Sequence, residues 1–218
     1  MITGVFGLPG AGKSSFLAYA AQKAVKGKPV YIGFPPFWRV PLGCEYPYKR
    51  VYSNFPIAGC YELKWEMLGY VDFSDCLILI DEIMHLCDSR DWKNFDAAKK
   101  YWFSMSRHYR SDVCFCSQSY DDCDRKIRNL TAQYLYIQNC GAWSRISPIA
   151  KSWAFDKNIE ERFQQLPPIQ CTYIYRRKYY HLFDSYTAQK MPENPALLWE
   201  VPQREKKKRK LVLPFVRP

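Results

Sequence analysis

Gly7, Gly12, Lys13 and Ser14 stand at the spacing G-x-x-x-x-G-K-[ST], with Pro9, Gly10 and Ala11 inside the stretch and Ser15 just after it. A backbone that bare, beside one ammonium and two hydroxyls, suits a phosphate chain. Glycines let successive N–H groups converge on phosphate oxygens without a Cβ in the way. A helix opening at Lys13 would add its positive end. In that arrangement Lys13 reaches the β- and γ-phosphates and the Ser14 hydroxyl takes a Mg²⁺ position. The predicted contact set is therefore Gly7, Pro9, Gly10, Ala11, Gly12, Lys13, Ser14 and Ser15, with ATP and Mg²⁺ as cofactors. The plainer reading is a glycine-rich turn without a ligand.

A second group of side chains decides what happens to the phosphate. Asp81 ends the apolar run CLILI and is expected to hold Mg²⁺ from its second shell, so the predicted metal pair is Ser14 and Asp81. Glu82 follows directly. A carboxylate there can polarise an attacking water, which an ATPase needs and a nucleotide kinase does not. Gln118, after the run VCFCS, is expected at the C-terminal edge of the sheet, where open α/β sheets keep their ligands. Its amide could sense the γ-phosphate, hold the lytic water or cap the next turn.

These residues need strands that deliver them to one edge. MITGVFG reads as a buried strand feeding the glycine loop, and KSSFLAYAAQKAVKG as a helix stopped near Gly27. PVYIGF (29–34), RVYSNFPI (50–57), DCLILIDE (75–82), DVCFCSQ and YLYIQNC read as further strands, as does the Tyr-rich CTYIYRRKYYHLFDSYT. Residues 35–50, with four prolines, form a loop or insertion. YELKWEMLGY suggests a short helix. Residues 92–110 place Trp92, Phe95, Ala98, Trp102 and Met105 at helical spacing, and CDRKIRNLTAQ is a helix or a turn. Strands alternating with helices predict an α/β three-layer sandwich of the P-loop NTPase kind, with a mostly parallel central sheet. The acid pair makes it the additional-strand, catalytic-glutamate type. Residues 1–190 are expected to form the ATPase domain and 191–218 a proline-containing basic tail.

The 218 residues are 48% hydrophobic and 17% aromatic, enough for a sizeable core. Net charge is +11, and residues 203–218 alone hold seven basic residues against Glu205. The nine cysteines are odd in number and form no C-x-x-C, and no secretory signal opens the chain, so they read as packed thiols in a reducing compartment. Cys114 and Cys116 should share one strand face. His85, His108 and His181 are too scattered for a metal site, and His85 with Cys87 lacks a second pair. No run reaches the roughly 18 apolar residues of a membrane span.

Taken in order, GLPGAGKS, VYSNFPI, CLILIDE, SRHYRSDVCFCSQ, IRNLTAQYLY and HLFDSYT resemble the zonular occludens toxin-like ATPases. These are filamentous phage assembly proteins related to FtsK/HerA-type DNA motors. The glycine loop and acid pair are generic to many ATPases. The Asn of VYSNFPI, the RH ahead of the Gln118 strand and the closing FDSYT are the distinctive pieces. The resemblance covers most of residues 1–190. It assigns nucleotide and hydrolysis roles to Lys13, Ser14, Asp81, Glu82 and Gln118. It also implies an ATP-driven homo-oligomeric ring, a hexamer being one size, that helps package and extrude single-stranded DNA virions. The expected place is the host cytoplasm or the cytoplasmic face of the bacterial inner membrane. Two departures stand out: relatives continue into a membrane-spanning helix and a periplasmic part not found in this chain, and residues 35–50 match nothing.

Ring motors complete the ATP site with an arginine from the neighbouring subunit. Arg107 and Arg110 are the candidates, with Arg128 behind them; a helix end attracts basic residues in any case. YIYRRKYYHLF mixes basic and aromatic residues as single-strand binders do, although alternation could instead turn the tyrosines inward and Arg/Lys outward. The tail's charges suit the cytoplasmic flank of a membrane, a disordered end or a DNA grip. Two other functions fit less well. A nucleotide or small-molecule kinase would show an arginine-rich lid and give Glu82 no work. A nucleotide-gated scaffold for DNA or membrane would show negligible turnover.

Overall fold

In the computed structural model, Ile2–Phe6, Cys76–Ile80 and Asp112–Ser117 are buried at every position, as strands covered on both faces must be. The structure describes residues 1–32, 40–43, 47–85, 96–121, 123–152, 161 and 171–183. In chain order the strands are β1 (Ile2–Phe6), β2 (Tyr31–Ile32), β3 (Val40–Pro41), β4 (Arg50–Ser53), β5 (Tyr61–Glu62), β6 (Cys76–Ile80), β7 (Asp112–Ser117), β8 (Gln133–Cys140), β9 (Trp143–Ile149) and β10 (Thr172–Tyr175). The helices are α1 (Lys13–Val25), α2 (Ala97–Met105) and α3 (Arg125–Leu130).

Eight strands form one sheet in the order β10-β9-β8-β1-β7-β6-β4-β5. From β8 through β5 all neighbours are parallel; β8, β9 and β10 are antiparallel. Strand β7 therefore lies between the strand that feeds the glycine loop and the strand that ends in the acids. Alternation sorts the side chains into two cores. Val5, Leu77, Leu79, Cys114, Cys116 and Leu135 pack with Phe16, Leu17 and the alanines of α1 on one face. Phe6, Ile78, Ile80, Val113, Phe115 and Tyr134 pack with Trp102 and Phe103 of α2 and Ile127 of α3 on the other. Helix, sheet and helices make the three layers that the sequence predicts. The alanine face of α1 lets that helix sit close to the sheet, with Ala18, Ala20 and Ala21 fully buried.

Several elements differ from their sequence readings. β2 is two residues long and pairs with β3 in a separate ribbon, because Tyr31 and Ile32 find partners in Pro41 and Val40 rather than in the main sheet. Residues 33 and 34 of the expected strand and residues 35–39 and 44–46 of the expected insertion lie outside the described residues, as do Trp92 and Phe95. α2 begins at Ala97, where the Asp96 side chain accepts the Lys99 N–H at 2.8 Å as a cap. YELKWEMLGY gives a single 3-10 turn at Trp65–Met67.

β9 carries no strand reading in the sequence. A tight turn at Gly141 (φ +65°) folds it back on β8, register Cys140 to Trp143. Among the described residues of the Tyr-rich segment, Thr172–Tyr175 form the strand. There Ile174 is buried while Tyr173 and Tyr175 are 45% and 38% exposed, so these tyrosines face outward, because the one inward position is taken by isoleucine.

The seven cysteines of the described residues carry free thiols. Cys114 and Cys116 share the α1 face, and burial raises both well above the usual thiol range. Burial also pushes Cys60 up to about 11. These are packed thiols, held protonated at neutral pH. The body of the chain spans Met1–Tyr186. Residues 191–218, the expected basic tail, lie outside the described residues.

Candidate active site

β1 ends at Phe6 and α1 begins at Lys13, leaving Gly7–Gly12 as the connecting loop. Gly10 (φ +75°) and Gly12 (φ +98°) both occupy the left-handed region that other residues avoid. A Cβ at Gly12 would also collide with Ser144 Oγ and with Cδ of Arg176. The Lys13 side chain folds back over the loop. Its Nζ donates to the carbonyls of Gly7 (2.8 Å) and Leu8 (3.3 Å). The ammonium is thus held at the mouth of the loop by acceptors that a phosphate oxygen can replace.

Parallel pairing brings the C-terminal ends of β1, β6 and β7 to the same edge. Ser14 Oγ donates to Asp81 Oδ2 at 2.5 Å, across 67 residues of sequence. Glu82 follows with φ +52°, a strained value for a non-glycine residue, costing about 1–2 kcal/mol. Its Oε2 accepts from Gln118 Nε2 at 3.4 Å, whereas Oε1 is buried without a hydrogen-bond partner. An orphaned carboxylate oxygen beside a strained backbone is an arrangement found at reactive sites.

A cavity of about 610 Å³ lies over this group. Pro9, Gly10, Gly12, Lys13, Ser14, Ser15, Asp81, Glu82 and Gln118 all line it, together with Arg176, Tyr180 and Phe183. Gly7 and Ala11 act through their carbonyls instead, Gly7 toward Lys13 and Ala11 toward Ser144. Arg107 and Arg110 are not brought to the cavity of their own chain. They precede β7, whose far end carries Gln118, and six residues of strand separate the two ends by about 20 Å. Arg110 pairs there with Asp75, which also binds Lys49 at 2.6 Å; these cations hold the Asp75 carboxyl below its ordinary range. Arg128 is tied to Asp121 at 3.0 Å and lies over the Tyr120 ring.

Three contributors escape the motif reading. Asn54, at the end of β4, binds the Asp81 backbone on both sides. Ser144 and Arg176 bind the back of the glycine loop. The Asn of VYSNFPI is visible in the sequence as a distinctive residue, but its partner is set by the β4–β6 pairing. Ser144 and Arg176 depend on β9 and β10 extending the sheet beyond β8, for which the sequence offers only the turn at Gly141.

Ser14 and Asp81 offer two hard oxygens in contact, the kind that Mg²⁺ takes along with substrate phosphates and water. Among the described residues no group of three or more His, Cys, Asp or Glu could hold a metal ion alone. Phosphate oxygens would have to complete the shell, and the adjoining loop is shaped to bring them.

A sheet in which β7 parts the loop strand from the acid strand, with a glycine loop opening α1, defines a P-loop fold of the additional-strand class. The chain belongs to the zonular occludens toxin (Zot) family, whose family model matches residues 59–190, a stretch that includes Asp81, Glu82 and Gln118. Among solved structures, the N-terminal domain of zonular occludens toxin from Neisseria meningitidis is similar over 84% of this chain and 98% of that one, at 15% identity and a TM-score of 0.53. The genome packaging NTPase of Sulfolobus turreted icosahedral virus 2, in complex with sulfate, matches 82% of this chain and 92% of that chain at 11% identity, TM-score 0.44. The same NTPase in complex with ATP-gammaS matches 68% and 91%, again at 11% identity, TM-score 0.41. No curated protein matches this chain in sequence.

Proposed function

We propose that the protein is an ATP-hydrolysing motor of virion assembly. The observation that carries the reading is the Ser14–Asp81 contact, which joins the phosphate loop to the acid strand, with Glu82 and its unpartnered Oε1 in the same cavity. Lys13 exchanges its loop carbonyls for β- and γ-phosphate oxygens. Ser14 and Asp81 would hold Mg²⁺, which would neutralise phosphate charge there. Glu82 takes the proton of a water as its oxygen attacks the γ-phosphorus; the bond to the β–γ bridging oxygen breaks, leaving ADP and phosphate. Gln118 holds Glu82, and through it the water, in line.

The substrate moved by this hydrolysis is single-stranded DNA, and the working form is a ring, as membership of the Zot family suggests. An outward aromatic pair supports the DNA contact: Trp143 and Tyr175, both exposed, lie 5.1 Å apart at the paired ends of β9 and β10, ahead of exposed Arg177 and Lys178. Stacking on such rings accepts any base. The basic tail from Arg204 holds the ring to the anionic cytoplasmic face of the host membrane. Among the described residues no helix is long and apolar enough to cross a membrane.

The test is multiple-turnover phosphate release with and without single-stranded DNA. A motor turns over ATP repeatedly and faster with DNA. One ATP per chain and no more identifies a nucleotide-gated scaffold, and phosphoryl transfer to an added acceptor identifies a kinase.

A further inference from the structure

The glycine loop is held from behind by two side chains outside the hydrolytic set. Ser144, buried in β9, donates its hydroxyl to the Ala11 carbonyl at 2.6 Å. Arg176, the first residue after β10, donates from Nη1 to the Gly10 carbonyl at 2.7 Å. Its Nη2 binds Asn139 Oδ1 at 3.0 Å and the Gly141 carbonyl, and its backbone N–H binds the Ala142 carbonyl at 3.1 Å. One guanidinium therefore joins the loop to the β8–β9 turn.

The consequence follows from peptide geometry. In a planar trans peptide the C=O and the next N–H point in opposite directions. Holding the Ala11 carbonyl on Ser144 turns the Gly12 N–H the other way, and Gly12 lines the cavity. Holding the Gly10 carbonyl on Arg176 turns the Ala11 N–H toward the Leu8 carbonyl, which it meets at 3.1 Å, closing the loop's inner turn. Gly12 fits against both braces so closely that a Cβ there would overlap them. Glycine residues, which make the loop able to wrap phosphate, also leave it free to adopt other shapes. Ser144 and Arg176 remove that freedom.

We propose that Ser144 and Arg176 are positioning residues for nucleotide: they pre-form the phosphate-binding loop and so set affinity, without acting in bond breaking. The inference rests on the nucleotide reading of the cavity. It is tested on the full chain by calorimetric titration with a non-hydrolysable ATP analogue and Mg²⁺, alongside steady-state ATPase kinetics and melting of the apoprotein. Ser144→Ala and Arg176→Ala should each raise Kd and KM about tenfold, since each removes one well-placed hydrogen bond to the loop, with kcat at saturating ATP within about twofold of the parent. Arg176→Lys should recover part of the affinity, since an ammonium can reach one carbonyl but cannot bridge the loop to the turn as a planar fork does. Should Arg176→Ala not fold, Ser144→Ala, which removes only an oxygen, carries the test. Parent-like Kd in the variants overturns the proposal even where melting falls. A drop in kcat with Kd unchanged also overturns it and puts Arg176 on the transferring phosphate. Lys13→Ala serves as reference: if it and the parent bind the analogue equally, the nucleotide reading itself fails.

Discussion

Asn54 clasps the Asp81 peptide from both sides: its Oδ1 accepts the Asp81 N–H at 2.7 Å and its Nδ2 donates to the Asp81 carbonyl at 2.8 Å. The side-chain amide continues the β4–β6 ladder after β4 itself has turned away, and the Asn54 N–H adds a bond to the Leu79 carbonyl at 3.3 Å. The chain must leave β6 in a fixed direction for the next peptide to adopt the left-handed φ of Glu82. Asn54 is thus the link between the sheet and the orientation of both acids.

Replacing Asn54 should therefore injure hydrolysis more than binding. Asn54→Ala removes two hydrogen bonds of about 1 kcal/mol each and should lower kcat about tenfold, with Kd for nucleotide little changed. Asn54→Asp keeps the acceptor for the Asp81 N–H but sets a carboxylate against the Asp81 carbonyl, so it should do at least as much damage. Steady-state kinetics with parallel melting curves check this. Parent rates in both variants would show that the clasp is only a strand end.

Glu82 carries a second, opposite expectation for stability. Its Oε1 is buried without a partner, a cost tolerated for reactivity. Glu82→Gln removes the negative charge from beside that unpartnered oxygen and should raise the melting temperature of the nucleotide-free protein by a few degrees, about 1 kcal/mol for a domain this size. The same variant should bind ATP and hydrolyse it on the order of 100-fold more slowly, the usual worth of a general base. Lys13→Ala should lose binding altogether. Hydrolysis by Glu82→Gln at the parent rate would remove Glu82 from the catalytic role.

Much of this site is legible in the sequence because its parts are local. A glycine loop between an apolar run and an alanine-rich helix, and an acid pair closing CLILI, each occupy fewer than a dozen residues and announce their own geometry. The three-layer architecture follows from the alternation inside β1, β6 and β7, where every residue is buried and the two faces need two sets of helices. What escapes are the contacts made by pairing across long separations. Ser144 reaches Ala11 across 133 residues and Arg176 reaches Gly10 across 166. β9 is obscured by Pro148 near its end, a residue that argues against a central strand but sits here beside the hairpin's open end. The outward tyrosines of β10 follow from one buried position, Ile174, which fixes the register of the rest.

The position of Arg107 and Arg110 makes a sharp demand on assembly. Both lie before β7, about 20 Å of strand away from Gln118, so neither serves the cavity of its own chain. Arg107 is exposed at the end of α2, whereas Arg110 is already engaged with Asp75. If either of these two arginines completes a site, it does so in a neighbouring subunit, and Arg107 is the better placed of the two because it breaks no ion pair to reach across. ATPase activity per subunit should then rise with protein concentration as the ring forms. Arg107→Ala should lower kcat by a factor on the order of 1,000, the usual effect of losing such a group, without lowering nucleotide affinity comparably. Mixing Arg107→Ala with Lys13→Ala should restore part of the activity, since an intact loop from the first then meets an intact arginine from the second. Arg110→Ala should instead act mainly on folding stability, through Asp75. Turnover that is independent of concentration, together with no recovery on mixing, would exclude a shared site and leave each chain to hydrolyse alone.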